Sequence, residues 1–465
     1  MVSTLGRIIF FSFLFLLFIP DLTSAGTKTF IKEYTYQASE DDSRNSSRTL
    51  ALREVKRLLL EELGTYLESF TEVQNFQLTR DRITTLTAGI VQTEILADKW
   101  DGDNLKYWLK AKIVADSDEV IKSIDALRND RTKTKDLEEL RSRSDALLKD
   151  NERLRKELMV AKGKKKQQAG IAYNKTIRDI NALDWLERGN ALGNAWKWQD
   201  AREAFTKAIE LDPEYTQAYR DRGTSCWFLR DYQQAIIDYD RAIELDPKFV
   251  SAYYMRGLAK QSLKQYHQAI MDFDIAIKLN FKFTSAYLER GDTYISLGDY
   301  PQGFKDIDKA IELEPNKWAS YYKRAAAYEK LGNYKQAIMD YDRTSELAPW
   351  YDEAYYARGS VHLGLRDHRR AIQDFDKVIR LNPKHEGIYY GRGYAFFSLG
   401  EYQHAIKDFD MAIEIDPKHA WAYHVRGLTN DALGNNNQAI QDLRIAARLG
   451  LKDAQDYLSK KGVDW

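Results

Sequence analysis

The chain has 465 residues, 44% hydrophobic and 30% charged, a composition that predicts folded domains and excludes a disordered chain. Lysine plus arginine and aspartate plus glutamate each number 70, so the whole-chain charge gives no support for a nucleic-acid partner. The single cysteine, Cys226, excludes an internal disulfide and any metal site built from several cysteines.

The N-terminus has the pattern of an export signal. Arg7 precedes the mostly apolar run 8–19, and the small residues Thr23-Ser24-Ala25 follow it. Because a bilayer-spanning helix needs about 20 apolar residues, a cleaved signal over residues 1–25 is favoured over a retained anchor. The sequence therefore predicts an exported protein, in the bacterial periplasm or secreted, with no stable membrane span after cleavage. A retained anchor, the alternative, would leave the same domains outside the cytoplasm.

Residues 27–118 predict a small α+β domain. Alternating apolar residues indicate a strand at Phe30–Tyr36. Ser47 is placed to cap a helix that ends near Ser69 and carries one apolar face. A short strand is predicted at 73–78.

A β-hairpin is predicted at the end of this domain. Its strands, 91–100 and 105–114, flank Asp101-Gly102, a dipeptide favoured in tight turns. Trp108 faces outward, either as a contact residue or as an isolated exposed aromatic. The residues predicted to face inward on the second strand are Leu105, Tyr107, Leu109, Ala111 and Ile113.

The segment 119–162 predicts a helical connector with a coiled-coil seam. Spacings of three and four residues alternate along Leu137, Leu140, Ser144, Leu147, Asn151, Leu154, Leu158 and Ala161. This pattern predicts a parallel two-stranded coil, and hence a homodimer through 137–161, or else a single amphipathic helix packed on the N-terminal domain. Residues 163–181 predict a linker. The basic cluster Lys162, Lys164, Lys165 and Lys166 is read as part of a solvated linker or as a contact to lipid headgroups or an acidic partner.

One 34-residue phrase recurs from residue 182 to residue 453. Position 7 is arginine in every copy, position 8 is glycine or alanine, and position 20 is alanine or, once, glycine. Position 24 is large and apolar, and proline is frequent at position 32. Small residues at positions 8 and 20 predict two helices in close approach, and the proline ends the second helix. The eight copies are 182–215, 216–249, 250–283, 284–317, 318–351, 352–385, 386–419 and 420–453, and a capping helix is predicted at 454–465.

This pattern resembles the tetratricopeptide repeat in its period and in the order of small, aromatic and proline positions. The resemblance implies a mainly α fold, a right-handed superhelix of stacked helix pairs behind the small α+β domain. It also implies a concave groove lined by positions 2, 5, 6, 9, 12 and 13 of each first helix. Chaperone-tail adaptors of the family carry lysine at position 5 and asparagine at position 9. Asn190 faces Leu186 here, which argues against that function.

Two features of the repeats lead to predictions about binding. Position 23 is aspartate in the last seven copies, so an Arg–Asp ladder is predicted, either as exposed structural pairs of about 0.2–1 kcal/mol each or as a ligand-binding row. Positions 5 and 9 are rich in tyrosine, which suits protein recognition, although these rings could instead pack against the next repeat. The candidate groove residues are Arg220, Tyr254, Tyr322, Tyr356, Tyr390, Tyr394 and His424.

No catalytic motif accompanies these patterns. The seven histidines lie in the repeats without metal-site spacing, and no glycine-rich phosphate loop occurs. The sequence therefore predicts a non-enzymatic scaffold, without cofactors, that binds a protein or peptide in the repeat groove. The alternative is that residues 27–118 bind an envelope component and the repeats serve as an assembly arm.

Overall fold

The computed structural model describes residues 27–73, 87, 90–91, 93–116, 119–124, 131–385 and 387–465. These residues form two compact units, one that ends at Ala252 and one that begins at Tyr253. The export signal predicted at 1–25 and nearly all of the strand predicted at 73–78 lie outside the described residues.

A three-stranded antiparallel sheet begins the first unit. Its strands are β1 (Thr27–Gln37), β2 (Thr93–Asp101) and β3 (Lys106–Asp116), in the spatial order β1-β3-β2. The predicted hairpin is confirmed, and Tyr107, Leu109, Ala111 and Ile113 are buried as expected. Leu105 is the exception, because it lies in the turn with a positive φ of 51° and not in the strand.

The helix α1 (Arg44–Val73) covers the inner face of this sheet with Val55, Leu59 and Leu63. It begins before the predicted position, because Ser43 is the capping residue. The Ser43 Oγ accepts a hydrogen bond of 3.0 Å from the backbone N–H of Ser46. Ser47, the residue predicted to cap the helix, is instead fully buried inside the first turn.

A helical hairpin follows, made of α2 (Arg131–Val160) and α3 (Lys164–Asn194). The linker predicted at 163–181 is wrong, since α3 runs unbroken through it and ends inside the first repeat. Along the hairpin, Leu154 and Leu158 pack on Tyr173.

The seam predicted for a dimer is therefore covered within one chain. Nearer the start of α2, Leu140 packs with Leu183 and Leu186 of α3. The seam positions Ser144 and Asn151 are buried as well. The apolar side chains that a partner helix would need are thus occupied by α3, because the turn at Gly163 brings the two helices together.

The repeats form successive helix pairs that follow the 34-residue period. After α3 these helices are α4 (Trp198–Leu211), α5 (Thr216–Phe228), α6 (Tyr232–Leu245), α7 (Val250–Ser262), α8 (Tyr266–Leu279), α9 (Thr284–Ser296), α10 (Tyr300–Leu313), α11 (Trp318–Lys330), α12 (Tyr334–Leu347), α13 (Asp352–Gly364), α14 (His368–Leu381), α15 (Ile388–Ser398), α16 (Tyr402–Ile415), α17 (Ala420–Ala432) and α18 (Asn436–Arg448). A last helix, α19 (Lys452–Lys460), begins slightly before the cap predicted at 454–465 and buries Ala454 and Leu458.

Close approach within a pair depends on the small residue at position 8. A Cβ placed on Gly223 would lie 2.8 Å from the ring of Tyr239, which is fully buried. In the next pair, a Cβ on Gly257 would lie 2.6 Å from the ring of Phe273. Real Cβ atoms do not approach so closely, so the aromatic residue at position 24 fills the space that glycine leaves.

The turn within each pair requires a left-handed residue at position 15. Glycine occupies this position at Gly298, Gly332, Gly400 and Gly434, with φ between 74° and 85°. Arginine, lysine or tryptophan occupies it elsewhere with φ between 59° and 63°, at Trp196, Arg230, Lys264 and Arg366. A side chain in this conformation costs about 1–2 kcal/mol because its Cβ approaches the following carbonyl oxygen.

Replacing Arg366 with glycine is expected to stabilise the array by about 1 kcal/mol, because Arg366 is exposed and its φ is 61°. Urea denaturation followed by helical circular dichroism measures this change. Gly400→Ala is the matched control and should destabilise the protein by a similar amount. Equal stabilities for the two variants and the parent would contradict the prediction.

Candidate functional site

The Arg–Asp ladder lies inside the array. In repeat 5, Nε and Nη2 of Arg324 donate to both carboxylate oxygens of Asp340 at 2.7 and 2.8 Å, and Nη1 donates to Asp308 of the preceding repeat at 2.6 Å. The Asp340 side chain is only 9% exposed. The ladder is therefore structural. The prediction of exposed pairs worth about 0.2–1 kcal/mol each is wrong, because the aspartate carboxylate at position 23 is buried in every pair. The buried pairs are Arg222–Asp238, Arg256–Asp272, Arg290–Asp306, Arg324–Asp340, Arg358–Asp374, Arg392–Asp408 and Arg426–Asp442.

The tyrosines at position 5 contribute to packing between helices. Tyr254 lies 6.0 Å from the ring of Phe273 at position 24 and 4.9 Å from Phe283 at position 34. Tyr322 is placed in the same way between Tyr341 and Tyr351. Both partner rings belong to the same repeat as the tyrosine, so these tyrosines pack inside their own repeats and do not form a free binding row.

The same geometry holds for the two later tyrosines at position 5. Tyr356 lies 4.4 Å from the ring of His385, and Tyr390 lies 4.9 Å from the ring of His419. Each of these tyrosines is half-buried between the second helix of its repeat and the last residue of that repeat. They set the spacing of the repeats and leave only part of each ring for a partner.

Arg220, the position 5 residue of repeat 2, is already bound within the chain. Its Nη1 donates to Asp136 of α2 at 2.6 Å, and its guanidinium lies 5.5 Å from the centre of the Phe249 ring. Its side chain is 12% exposed. Arg220 is therefore not part of the candidate binding surface.

The helix α2 lies over the predicted groove positions of repeats 1 and 2. Leu140 covers Leu183 and Leu186, at positions 2 and 5 of repeat 1. Arg143 places its guanidinium 3.8 Å from the centre of the Tyr215 ring and bonds Asp212 at 3.0 Å. In the first unit, the groove positions are thus filled by an amphipathic helix of the same chain.

A charge cluster fixes α1 to the same region. Arg53 bonds Asp184 at 3.1 Å and Glu187 at 2.9 Å, and Lys56 bonds Asp184 at 2.9 Å. Burial by itself would raise the pKa of Asp184, but Lys56 and Arg53 hold it below its usual range. The N-terminal domain and the first repeat are therefore joined by a buried, ionised clamp, which we name the Arg53 clamp.

In the second unit, the exposed aromatic side chains at groove positions are Tyr394 and Trp421. Tyr394, at position 9 of repeat 7, is 39% exposed and lies 6.3 Å from Tyr390. Trp421, at position 2 of repeat 8, is 44% exposed and lies edge-on to His424 at 5.7 Å. We define these two exposed side chains as the candidate binding surface, named here the Tyr394–Trp421 surface.

His424 supports this surface from beneath. It is buried, and its Nδ1 has no hydrogen-bond partner among the described residues. Burial lowers its pKa, although Asp453 opposes the shift. His424 is therefore neutral at neutral pH and is a packing residue beneath Trp421.

The candidate residues from the sequence were Arg220, Tyr254, Tyr322, Tyr356, Tyr390, Tyr394 and His424, and the structure leaves Tyr394 most accessible among them. Trp421 was missed. Its position 2 belongs to the predicted groove set, but the predicted binding residues come from positions 5 and 9, where tyrosine recurs. The tryptophan at position 2 is the signal in the sequence that identifies it.

The described residues contain no group of three or more histidine, cysteine, aspartate or glutamate side chains arranged to hold a metal ion. Cys226 is fully buried, and burial raises the pKa of its thiol to about 11. The thiol is therefore protonated at neutral pH and acts as a small core residue.

Within the described ranges, which exclude the run at 8–19, no helix is both long and apolar enough to cross a bilayer.

Comparison with known proteins gives one family. Models described as "Tetratricopeptide repeat" match residues 186–250, 238–271, 284–317, 307–339 and 356–420. No curated protein matches the chain.

Solved structures that resemble the chain do so over part of its length. The crystal structure of MamA is 24% identical, covers 35% of this chain and 94% of its own, and has a TM-score of 0.32. YrrB, titled a TPR protein with an unusual peptide-binding site, is 23% identical, covers 41% and 98%, and has a TM-score of 0.33. Pseudomonas aeruginosa pilF is 16% identical, covers 45% and 97%, and has a TM-score of 0.41. The family models match within the stretch that carries the 34-residue period, and the chain is a tetratricopeptide repeat protein.

Proposed function

We propose that the chain is an exported, non-enzymatic scaffold that binds a protein or peptide partner through the repeats of its second unit. Membership of the tetratricopeptide repeat family supports the coarser part of the proposal, a protein-binding scaffold. The signal pattern at 1–25 supports export. The observation that carries the proposal is the Tyr394–Trp421 surface, where two large aromatic side chains remain exposed at first-helix positions.

The chemistry of this surface suits a protein partner. Tyrosine and tryptophan bury a large area at a low cost in side-chain entropy, and both are enriched among the residues that dominate binding energy. Tyr394 is supported by Tyr390 and by Phe397, whose ring centre is 6.3 Å away. A supported ring loses little freedom when a partner covers it.

The packing of α2 in the first unit indicates which kind of ligand the repeats of the second unit bind. There the groove positions and neighbouring residues of repeats 1 and 2 hold α2 through leucine packing, two Arg–Asp pairs and one cation over a ring. These are the contacts by which an amphipathic helix lies in a groove. We infer that the second unit takes an amphipathic helix or an extended peptide of a partner protein.

The test uses the full chain in its native host with a photo-crosslinking amino acid at position 394. The expected result is a covalent adduct with one protein, strongly reduced by Trp421→Ala, a change expected to weaken a central contact by about 2 kcal/mol or more. A crosslinker at Gln373, exposed on the second helix α14, is the matched control.

Two outcomes oppose the proposal. Equal labelling from positions 394 and 373 would show non-specific contact. Specific labelling from Trp108, on the outer face of β3, with none from position 394, would favour the alternative in which the N-terminal domain binds an envelope component.

A further inference from the structure

The tip of the α2–α3 hairpin exposes apolar side chains beside a cluster of lysines. At the end of α2, Met159 is 61% exposed and Val160 is 79% exposed. The chain then turns at Gly163 with a φ of 58° and enters α3 at Lys164. We name residues 159–166 the hairpin tip.

Within the described structure, most of the charge at the hairpin tip is uncompensated. Lys162, Lys164, Lys165 and Lys166 are all exposed. Lys166 bonds Asp41 at 3.1 Å, whereas no acidic group among the described residues pairs with the other three. The tip therefore combines positive charge with apolar side chains that nothing in the described chain covers.

The placement of these lysines is unfavourable for an isolated helix. Three of them lie in the first turn of α3, where the partial positive charge of the helix favours aspartate or glutamate. The first turn carries no acidic residue, and Gly163 supplies no side-chain cap. Anions bound beside these lysines would offset the repulsion between the lysine charges and the partial positive charge of the helix N-terminus.

We propose that the hairpin tip binds the surface of a bilayer containing anionic phospholipids. The lysines pair with headgroup phosphates, and Met159 and Val160 enter the boundary between headgroups and acyl chains. This inference is independent of the partner-binding function, because no residue of the tip belongs to the Tyr394–Trp421 surface.

The residue types favour a lipid surface over an acidic protein. The cations of the tip are all lysine, a flexible point charge, and none is arginine, whose planar group suits fixed carboxylates. Lysine is depleted in the cores of protein interfaces, whereas polybasic lysine segments beside apolar residues bind anionic membranes.

The test is flotation of the full chain with vesicles of phosphatidylcholine alone or mixed with phosphatidylglycerol. Because an uncleaved apolar run at 8–19 would add to the binding of both vesicle types alike, the measured quantity is the ratio of the two partition coefficients. The triple variant K162Q/K164Q/K165Q should lower this ratio by about a hundred-fold at low salt, since each lysine near an anionic bilayer contributes roughly five-fold.

The matched control removes three exposed lysines elsewhere, in K248Q/K384Q/K418Q, and should leave the ratio unchanged. M159S/V160S should weaken binding to both vesicle types. Circular dichroism melts establish that each variant is folded.

Three results would overturn the proposal. One is a ratio near one for the parent chain, and another is an equal loss in the control triple variant. The third is full competition by inorganic phosphate at constant ionic strength, which would indicate a site for the free ion.

Discussion

Arg324→Ala is expected to lower the free energy of unfolding by about 3–5 kcal/mol. The change removes three hydrogen bonds and leaves the carboxylate of Asp340, 9% exposed, without its main cation. An uncompensated buried charge costs more than the loss of a surface pair, which is worth about 0–1 kcal/mol. Urea denaturation followed by helical circular dichroism measures the effect.

Arg343→Ala is the control for this prediction. Arg343 lies on the next helix and pairs with Glu346, but its side chain is 41% exposed and that of Glu346 is 65% exposed. The control should leave stability nearly unchanged, because an exposed ion pair contributes little. The double variant Arg324→Leu/Asp340→Leu should recover part of the loss, because it removes both charges. If both single variants have the same stability, the ladder is not the buried network described above.

Arg53→Ala is expected to release the N-terminal domain from the first repeat. Arg53, with a side chain 12% exposed, bonds both Asp184 and Glu187 and also contacts the hydroxyl of Ser144 on α2. Its removal leaves Lys56 as the one remaining cation of the Arg53 clamp. We expect a loss of about 3–5 kcal/mol in the free energy of unfolding of the first unit.

Hydrogen exchange of the amides at 180–194 measures this release together with urea denaturation. Arg57→Ala is the control, because Arg57 lies four residues further along α1, is 50% exposed and pairs with Glu54 and Glu61. The exchange rates should rise in Arg53→Ala and stay unchanged in the control. Similar protection in both variants would mean that apolar packing alone joins the domain to the repeat.

The repeats show how far a sequence pattern predicts contacts. Arg324 and Asp340 are 16 residues apart, and the constant 34-residue period places every such pair alike, so the ladder follows from the pattern. The degree of burial does not follow from it. Burial depends on how neighbouring helices pack around the carboxylate, which leaves Asp340 9% exposed and Asp238 1% exposed.

Position 5 shows the opposite result. Tyr254 and Tyr322 were predicted as groove residues, but their rings are enclosed by Phe283 and Tyr351, the last residues of the same repeats. In each case the tyrosine and its partner ring are 29 residues apart in the sequence, and this spacing does not show that they are in contact. Only the turn between one repeat and the next brings them into contact.

The helix α2 shows most clearly what the sequence does not determine. Its alternating spacing of three and four residues is real, and it predicted an apolar stripe on one face of a helix. The same stripe suits a partner chain or α3, and side-chain spacing does not distinguish the two. Gly163 decides between them, since a left-handed turn of a few residues folds α3 back onto α2.

The sequence by itself determined the repeat period, the paired helices, the Arg–Asp ladder and the hairpin of the small domain, because each depends on residues at fixed local spacing. The tertiary structure decided which surfaces remain free. It placed α2 over repeats 1 and 2, enclosed the tyrosines of position 5, and left Tyr394, Trp421 and the hairpin tip exposed. Exposure depends on what other segments cover, and that is set by packing between residues distant in the chain.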